Sequence, residues 1–161
     1  MGSMMSLYFL NHQTKEWKDK YVRSLVSISG VWGGTARALK VFAVGDNMDS
    51  WFLDKTKLVG EQRTDSSLAW LMPAEGFWSD DEVLVQTPTN IYTRSNLSAY
   101  FELLGEPNMS KMVEDTKDLI TGLLPPGVEV FCTHGSNVDT TEKLIYKPKT
   151  FWSLNPITAD V

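Results

Sequence analysis

Apolar residues recur along the chain at helical spacing in some segments and as short continuous runs in others. The segment from Ser3 to about Lys20 has roughly helical spacing and no glycine or proline, which predicts a helix. The next segment, Tyr21 to Ser29, is rich in Val, Leu and Ile and is followed by Gly30, which predicts a strand. The N-terminal part of the chain is therefore predicted to be a helix followed by a strand.

The same two patterns alternate along the rest of the chain. Helices are predicted at Ala36 to Val44 behind an N-cap at Thr35, at Leu97 to Leu104 between a cap at Ser95 or Asn96 and Gly105, and at Lys111 to Thr121. A helical turn that Pro73 stops is predicted at Ser66 to Met72. Strands are predicted at Glu82 to Thr87, at Val128 to Cys132 and, as a strand or an extended segment, at Leu144 to Tyr146. This alternation predicts an α/β fold, with an open, mostly parallel sheet and helices on both faces.

One long segment, Gly45 to Glu61, follows neither pattern. It is polar and irregular, yet it carries the apolar triplet Trp51-Phe52-Leu53. Segments of this length without periodicity are often mobile flaps that serve a binding site. We therefore predict a flap or lid here.

The composition narrows the class of protein. With 161 residues, of which 42% are hydrophobic and 22% charged, the chain is long enough for one domain with a core. Its net charge of −5, without a basic cluster, argues against nucleic acid as a partner and against a polybasic membrane patch. No apolar run approaches the ~20 residues that span a bilayer, and no signal peptide follows Met1. Cys132 is the single cysteine, which excludes an internal disulfide.

Candidate catalytic groups are few. No serine has a glycine two residues before it and two residues after it, so Ser3, Ser29 and Ser136 are interpreted as cap or turn residues. His12 falls on a polar helix face, whereas His134 follows a strand, where the active-site loops of α/β folds gather. There is no Cys/His cluster for a metal, and the sequence indicates no cofactor. Spacing alone therefore predicts an α/β domain without a complete catalytic set.

An ordered set of short motifs runs through nearly the whole chain. It comprises Met1-Gly2 with Leu7-Tyr8-Phe9-Leu10, then Trp32-Gly33-Gly34, Gly45-Asp46-Asn47, Gln86-Thr87-Pro88-Thr89, Tyr100-Phe101-x-x-Leu104-Gly105 and, most specific, Pro125-Pro126-Gly127-Val128-Glu129-Val130-Phe131-Cys132. In these motifs the chain resembles the lecithin:cholesterol acyltransferase and lysosomal phospholipase A family of α/β-hydrolases. It departs from the family at Val31, where proline is usual, and at Ser29-Gly30, where the family has Gly-Ala.

The resemblance implies a serine esterase of which this chain is an internal piece. The family nucleophile lies in a His-Ser-Met-Gly turn, so the serine would lie directly before Met1, and the Met1 N–H would donate to the oxyanion if the chain continues upstream. The aspartate and histidine would lie beyond Val161; Asp160 is close but lacks the glycine context of the family motif. Residues 1–161 are therefore expected to be a single partial α/β-hydrolase domain that is inactive as given.

The resemblance also assigns roles away from the nucleophile. The segment of about 45–61 would be the lid over the acyl groove, with Trp51, Phe52 and Leu53 facing lipid. Cys132 matches a family cysteine whose disulfide partner would lie past the end of the chain; a buried free thiol is the alternative.

The function implied by the resemblance is acyl transfer from phospholipid through a serine ester, to water or to an alcohol acceptor. The partners would be a phospholipid, the acceptor alcohol and a membrane or lipoprotein surface bound peripherally. The family is secreted or lysosomal, and the sequons at Asn96 and Asn108 are glycosylation candidates that fit a lumenal compartment.

Two other interpretations remain open from the sequence. The chain could be a non-catalytic lipid- or partner-binding module derived from the same fold. It could also be an incomplete gene model, in which case flanking genomic sequence would supply a His-Ser pair upstream and a Gly-Asp-Gly motif downstream. For an isolated chain we expect poor solubility, because an apolar sheet edge would be left unpaired.

Overall fold

The structure is a computed structural model that describes residues 1–148 and 157–160. Its helices are α1 (Gly2–Asn11), α2 (Lys15–Tyr21), α3 (Ala36–Val44), α4 (Lys55–Gln62), α5 (Ser66–Trp70), α6 (Leu97–Leu103) and α7 (Asn108–Thr116). Its strands are β1 (Ser24–Ile28), β2 (Val83–Gln86), β3 (Ile91–Thr93), β4 (Glu129–Thr133), β5 (Thr141–Ile145) and β6 (Ile157–Asp160). Short 3-10 turns lie at Arg94–Asn96 and Thr121–Leu123. The α/β class predicted from the hydrophobic pattern is confirmed.

The chain divides into two compact units, each built from two stretches of sequence. The first unit contains Met1–Trp32 and Lys117–Val138. The second unit contains Gly33–Thr116 and Asp139–Val161. Each unit has its own sheet, and each is described separately below.

The first unit begins with two helices where the hydrophobic pattern predicts one. α1 ends before Thr14, whose hydroxyl accepts a hydrogen bond from the Trp17 N–H (3.2 Å) and so caps α2. The expectation of one helix from Ser3 to Lys20 is therefore wrong, because a capping threonine interrupts a run of continuous apolar spacing. α2 continues to Tyr21, which delays the start of β1 to Ser24.

The sheet of the first unit has two parallel strands. β1 pairs with β4, with Ser24 opposite Glu129 and Ile28 opposite Thr133. The rigid turn before β4 is tied to α2, because the Lys18 ammonium donates to the carbonyl oxygen of Pro126 (2.8 Å). The predicted strand at Val128 to Cys132 is confirmed with a shift of one residue.

The sheet of the second unit has the order β3-β2-β5-β6. β2 and β5 are parallel, whereas β3 and β6 are antiparallel to their neighbours. The expected mostly parallel sheet is therefore mixed over the part of the chain that the structure describes. β3 follows β2 through a turn in which the Thr87 N–H donates to Asn90 O (2.8 Å), and such a hairpin makes the two strands antiparallel. Sequence reasoning missed β3 because it is only three residues long.

The core of the second unit lies between its helices and its sheet. Leu39 and Phe42 of α3 are fully buried, and the Phe42 ring meets the Phe101 ring of α6 edge-on at 5.3 Å. Beneath them, the Tyr100 and Tyr146 hydroxyls are hydrogen-bonded to each other at 2.7 Å. This pairing satisfies two phenols that are otherwise shielded from water.

The helix boundaries in the second unit follow local capping chemistry. The Thr35 hydroxyl accepts from the Arg37 N–H (3.2 Å), so the predicted cap of α3 is confirmed. α6 ends as predicted near Gly105, which has φ +75°. The helix predicted at Lys111 to Thr121 instead spans Asn108–Thr116, because the chain re-enters a helix directly after the Gly105 turn and buries Met109.

Candidate functional site

The N-terminus of α1 is the first candidate region, and it lies in the first unit. Met1 is the N-cap residue, and its carbonyl oxygen accepts from the Met5 N–H (3.2 Å). The first N–H groups of any helix lack partners within it and carry a partial positive charge. A negative oxygen placed before α1 would be stabilised there, which is the electrostatic requirement of an oxyanion site.

α1 is fixed to the strand behind it by a serine pair. The Ser27 hydroxyl, which is buried on β1, donates to the Ser3 hydroxyl of α1 (3.0 Å). Gly30 lies against the same group, since a Cβ there would come within 2.6 Å of Ser27 Oγ and 2.8 Å of the Trp32 ring. This hydrogen bond fixes α1 to β1. Ser3 lies inside α1, whose N-cap is Met1, so the interpretation of Ser3 as a cap or turn residue is wrong.

The remaining sequence candidates of the first unit are not arranged for catalysis. His12 Nδ1 is hydrogen-bonded to the Tyr8 carbonyl oxygen (2.8 Å) and its ring stacks near the Tyr8 ring, so it closes the end of α1. Ser29 lies at the end of β1 with φ +50°, and its N–H donates to Thr133 O (2.7 Å). His134 and Ser136 are exposed beyond β4.

An open apolar depression lies between α1 and the start of β1. Its volume is about 390 Å³. It is lined by Met5, Ser6, Phe9, Leu10, Val22, Ser24 and Leu25. The depression is therefore mostly apolar and lies beside the helix that the resemblance places behind the nucleophile.

The second candidate region, in the second unit, is the loop Asp46–Asp54, which we call the lid loop. Its start is held by polar side chains. Arg37 Nη2 donates to Asp46 Oδ2 (2.8 Å), and the Gln62 amide exchanges two hydrogen bonds with the Asp46 backbone (2.7 and 2.9 Å). Burial alone would raise the pKa of Asp46, but the hydrogen bonds from Arg37 and the Met48 N–H hold that pKa below its usual value. The carboxylate therefore stays charged in mild acid.

The interior of the lid loop is closed by one side chain. Asn47 Nδ2 donates to Ser50 O (2.9 Å) and to Leu53 O (2.8 Å). Met48 and Asp49 both have positive φ, near +51° and +57°, which bends the backbone into a left-handed turn. The loop therefore has a definite shape without a hydrophobic core of its own.

The predicted apolar triplet lies at the tip of this loop. Trp51 is 95% exposed, Phe52 70% and Leu53 40%, and the two aromatic rings meet edge-on at 5.8 Å. Beyond the tip the chain is helical from Lys55, because Asp54 accepts from the Thr56 N–H (2.9 Å) and caps α4. The irregular segment is thus shorter than the predicted Gly45 to Glu61.

The far end of α4 is fastened to the core by Arg63. Its guanidinium donates to Phe42 O (2.9 Å) and Ala43 O (3.0 Å) at the end of α3, and to Glu106 (3.0 Å). It also lies over the Phe42 ring at 5.5 Å. The lid loop and α4 are therefore anchored at both ends, by Gln62 with Arg37 at the start and by Arg63 at the finish.

Cys132 is exposed on β4, so the alternative of a buried free thiol is wrong. The physical reason is that every side chain of β4 is exposed in the two-stranded sheet. A disulfide to a cysteine elsewhere stays a prediction.

Asn96 and Asn108 are both exposed. Asn96 Oδ1 accepts from the Thr93 N–H (2.6 Å), which completes a capping box before α6. Asn108 is the first residue of α7. Asp160 lies in β6.

Comparison with known proteins identifies the family. The sequence model of the lecithin:cholesterol acyltransferase family matches residues 1–124. The chain is 40% identical to the human lysosomal phospholipase A and acyltransferase over 147 residues, which are 91% of this chain and 36% of that protein. It is 37% identical over 146 residues to the phosphatidylcholine-sterol acyltransferase of Gallus gallus, which covers 91% of this chain and 35% of that protein. The chain therefore belongs to the lecithin:cholesterol acyltransferase family, and the family resemblance seen in its motifs is confirmed.

The chain spans about a third of the length of the curated relatives that it matches. Among the helices within residues 1–148, and in the described stretch 157–160, none is long and apolar enough to cross a membrane.

Sequence reasoning found the exposed tip but missed the residues that hold it. Asp46 and Asn47 could have been recognised from the sequence as turn-forming residues, because these residue types bond to nearby backbone in turns. Gln62 and Arg63 carried none, because their partners lie far from them in sequence.

Proposed function

We propose that this chain is the central part of a serine esterase that removes acyl groups from phospholipids and passes them to water or to an alcohol. The observation that supports this most directly is the family match over residues 1–124. The relatives' names, phospholipase A and phosphatidylcholine-sterol acyltransferase, supply the substrate class. The chain as given contains no serine in a nucleophile turn, so we expect it to be inactive alone.

In this proposal α1 is the helix behind the attacking serine. In a longer chain with that serine directly before Met1, the serine would pass its proton to the histidine expected beyond Val161 while its oxygen attacks the acyl carbonyl carbon and forms a tetrahedral intermediate. The Met1 N–H, at the positive end of α1, would donate to its oxyanion. As the intermediate collapses, the protonated histidine would give its proton to the leaving lysophospholipid alcohol; it would then deprotonate water or an acceptor alcohol, which takes the acyl group from serine. The Ser3–Ser27 hydrogen bond would keep α1 in place during both steps.

The lid loop is proposed as the cover of the acyl site. Trp51, Phe52 and Leu53 are exposed, and aromatic side chains of this kind suit the boundary between water and lipid. The protein would meet a membrane or lipoprotein surface peripherally through this loop.

A lumenal or secreted location completes the proposal. Asn96 and Asn108 would carry N-linked glycans, and Cys132 would form a disulfide with a cysteine outside this sequence. Changing each asparagine to glutamine in the secreted protein should remove one glycan, seen as a step in gel mobility. If neither substitution changes the gel mobility, this part of the proposal is wrong.

The catalytic proposal is tested with a chimera. The matching 147 residues of the human relative are replaced by those of this chain, and fatty acid release from phosphatidylcholine liposomes is measured at acid and neutral pH. We expect release, together with labelling by a fluorophosphonate probe, and neither when the chimera's own nucleophile is changed to alanine. A folded chimera that neither hydrolyses nor labels would contradict the proposal. Stoichiometric labelling of the isolated 161-residue chain would contradict it as well.

A second candidate function is a lipid-binding module without catalysis. It is favoured by the second unit, which has a continuous core and carries the exposed lid loop. A monomeric gel-filtration peak and a cooperative melt for the isolated chain, combined with an inactive chimera, would favour this module over the esterase.

A further inference from the structure

We propose that His134 binds the phosphate of the phospholipid substrate when its imidazole is protonated, so that the substrate binds more strongly in acid. This inference rests on the proposed function, because it assigns a headgroup-binding residue to the same acyl-transfer site. The proposed acyl-transfer steps leave His134 unused. Three observations support its role: the direction of α1, the register of β4 and the charges around the histidine.

α1 runs antiparallel to β1, so the start of the helix lies at the carboxyl end of the strand. Ser3, in the first turn of α1, accepts the hydrogen bond from Ser27 near the end of β1 (3.0 Å). Phe9, near the other end of α1, lines the apolar depression together with Val22, which precedes β1. The nucleophile expected directly before Met1 therefore belongs at the carboxyl end of β1.

β4 brings His134 to the same end and the same face of this sheet. Cys132 is opposite Ser27 in the parallel ladder, so both are on the face that α1 covers. The Ser29 N–H donates to Thr133 O (2.7 Å) and continues the pairing just past both strands. Because side chains alternate between faces along an extended chain, His134, two residues beyond Cys132, is again on the α1 face.

The spacing suits one phospholipid molecule. Neighbouring strands are about 4.8 Å apart and each residue advances about 3.3 Å, which separates the Cα atoms of His134 and Ser27 by about 8 Å. Only a few bonds separate an acyl carbonyl carbon from the phosphorus atom of the same phospholipid. A substrate whose ester meets the nucleophile before Met1 can therefore present its phosphate to His134.

The charges on the neighbouring elements leave the histidine as the group that changes with pH. α1 and β1 contain no charged residue, and Glu129, the one charged residue of β4, lies at the opposite end of that strand. The charged residues of α2 lie before the amino end of β1, and the Met1 ammonium is a peptide N–H in the longer chain. His134 itself is exposed and open to a ligand. An imidazole becomes a cation between about pH 8 and pH 5, and a charge-assisted hydrogen bond to phosphate is about twice as strong as a neutral one.

The kinetic experiment uses the chimera of the proposed function with two substrates, phosphatidylcholine and p-nitrophenyl butyrate, an ester without phosphate. His134→Gln should raise the KM for phosphatidylcholine about fivefold at about pH 5 and less than about twofold at about pH 8. The kcat should stay the same, because the phosphate contact is equal in the ground state and the transition state. His134→Lys keeps a positive charge and should give a low KM at both pH values.

Two controls accompany these variants. Hydrolysis of p-nitrophenyl butyrate should be the same in all of them, which separates phosphate binding from a general effect on the fold. His12→Gln is the matched substitution, because His12 closes the opposite end of α1, and it should behave like the parent chimera.

A binding experiment that needs no activity uses the 161-residue chain, whose two histidines give two sets of ring signals in proton NMR. His134→Gln assigns the signal of His134. Dihexanoyl phosphatidylcholine below its micelle concentration should shift this signal at about pH 5 and less at about pH 8. Inorganic phosphate at the same concentration should shift it by less than about half as much, because it lacks the acyl chains that hold the phospholipid at the site.

Equal KM values for the parent and His134→Gln chimeras at about pH 5 would overturn the inference, as would an equal loss with p-nitrophenyl butyrate. A His134 signal that ignores the phospholipid would overturn it too, and an equal response to inorganic phosphate would indicate an adventitious ion only. An active chimera with any of these results leaves the esterase in place and defeats the role of His134 alone. An inactive chimera with a phospholipid-dependent shift of His134 defeats the esterase alone.

Discussion

The two units of the chain cover their sheets to very different degrees. In the second unit, Leu84 and Val85 of β2 and Leu144 of β5 are fully buried. In the first unit, Ile28 is 74% exposed and Val26 57% on β1, although β1 carries the same kind of apolar residues. Similar sequence patterns thus give a buried sheet in the second unit and a solvent-exposed sheet in the first unit.

The difference shows that parallel strands depend on other elements that pack over their two faces. A parallel pair is normally buried on both faces, because helices pack over it on each side. The β1–β4 pair carries the apolar residues of a buried ladder but leaves them exposed together with Phe131 and Val130. An apolar surface of this kind favours association with other apolar surfaces. The comparison therefore predicts that stability resides in the second unit and association in the first.

The largest expected effect on stability comes from removing one aromatic ring, and the same substitution is compared in the two units. Phe42→Ala in the second unit should lower the free energy of unfolding by about 3–5 kcal/mol, because it leaves a cavity against Phe101. Phe131→Ala in the first unit should cost less than about 1 kcal/mol, because that ring is half exposed. Urea unfolding followed by circular dichroism measures both. Equal losses would show that the two units are equally packed.

The next effect concerns Arg63. Arg63→Gln should lower the free energy of unfolding by about 2 kcal/mol, because it leaves the carbonyl oxygens at the end of α3 with fewer donors. Arg23→Gln in the first unit is the matched control and should change stability by less than about 0.5 kcal/mol, because Arg23 is exposed. The same urea titration applies. If the control loses as much as Arg63→Gln, the anchoring role of Arg63 is wrong.

The phenol pair of the second unit predicts a pH dependence. Burial, the adjacent Tyr146 and the hydrogen bond between them raise the pKa of Tyr100, and burial raises the pKa of Tyr146. The folded state therefore holds these protons more tightly than the unfolded state. Stability from the pair should be fully present below about pH 10, the ordinary tyrosine value, and be lost as pH rises beyond it.

Tyr100→Phe tests this directly. It should cost about 1 kcal/mol at neutral pH and flatten the alkaline loss of stability, measured by urea unfolding at neutral and alkaline pH. Tyr21→Phe, at an exposed tyrosine of the first unit, should leave the alkaline slope unchanged. A slope that is the same in Tyr100→Phe as in the wild type would rule out the buried pair as its source.

The smallest effect on stability accompanies a clear effect on association. Val26→Lys should change the free energy of unfolding by less than about 0.5 kcal/mol, because Val26 is exposed, yet it should reduce self-association. Light scattering at rising protein concentration gives the readout. Ile91→Lys, on the exposed side of β3 in the second unit, should leave association unchanged. If Ile91→Lys is as effective as Val26→Lys, association does not belong to the first unit.

The sequence predicts best those features that are determined by neighbouring residues. α3 with its Thr35 cap and the α6 stop at Gly105 depend on local hydrogen bonds, and both agree with the structure. The division between α1 and α2 also depends on a local hydrogen bond, to the hydroxyl of Thr14, but the apolar spacing continues across that residue and does not reveal it.

The candidate site shows the limit of local patterns. The family resemblance implies lipid-facing side chains at Trp51, Phe52 and Leu53; the structure shows them exposed, and their contact with lipid stays a prediction. The link from Gln62 to Asp46 joins residues sixteen positions apart, and Arg63 reaches Phe42 across twenty-one. Such contacts depend on how α4 packs, which no single stretch of sequence encodes.

The position of Cys132 on an open strand has a practical consequence. It is the single cysteine of the chain, and its thiol faces solvent on β4. A maleimide dye would therefore attach at one defined place, on a strand whose side chains are all exposed. Its emission would then report in real time whether a ligand or another polypeptide comes to shield that strand.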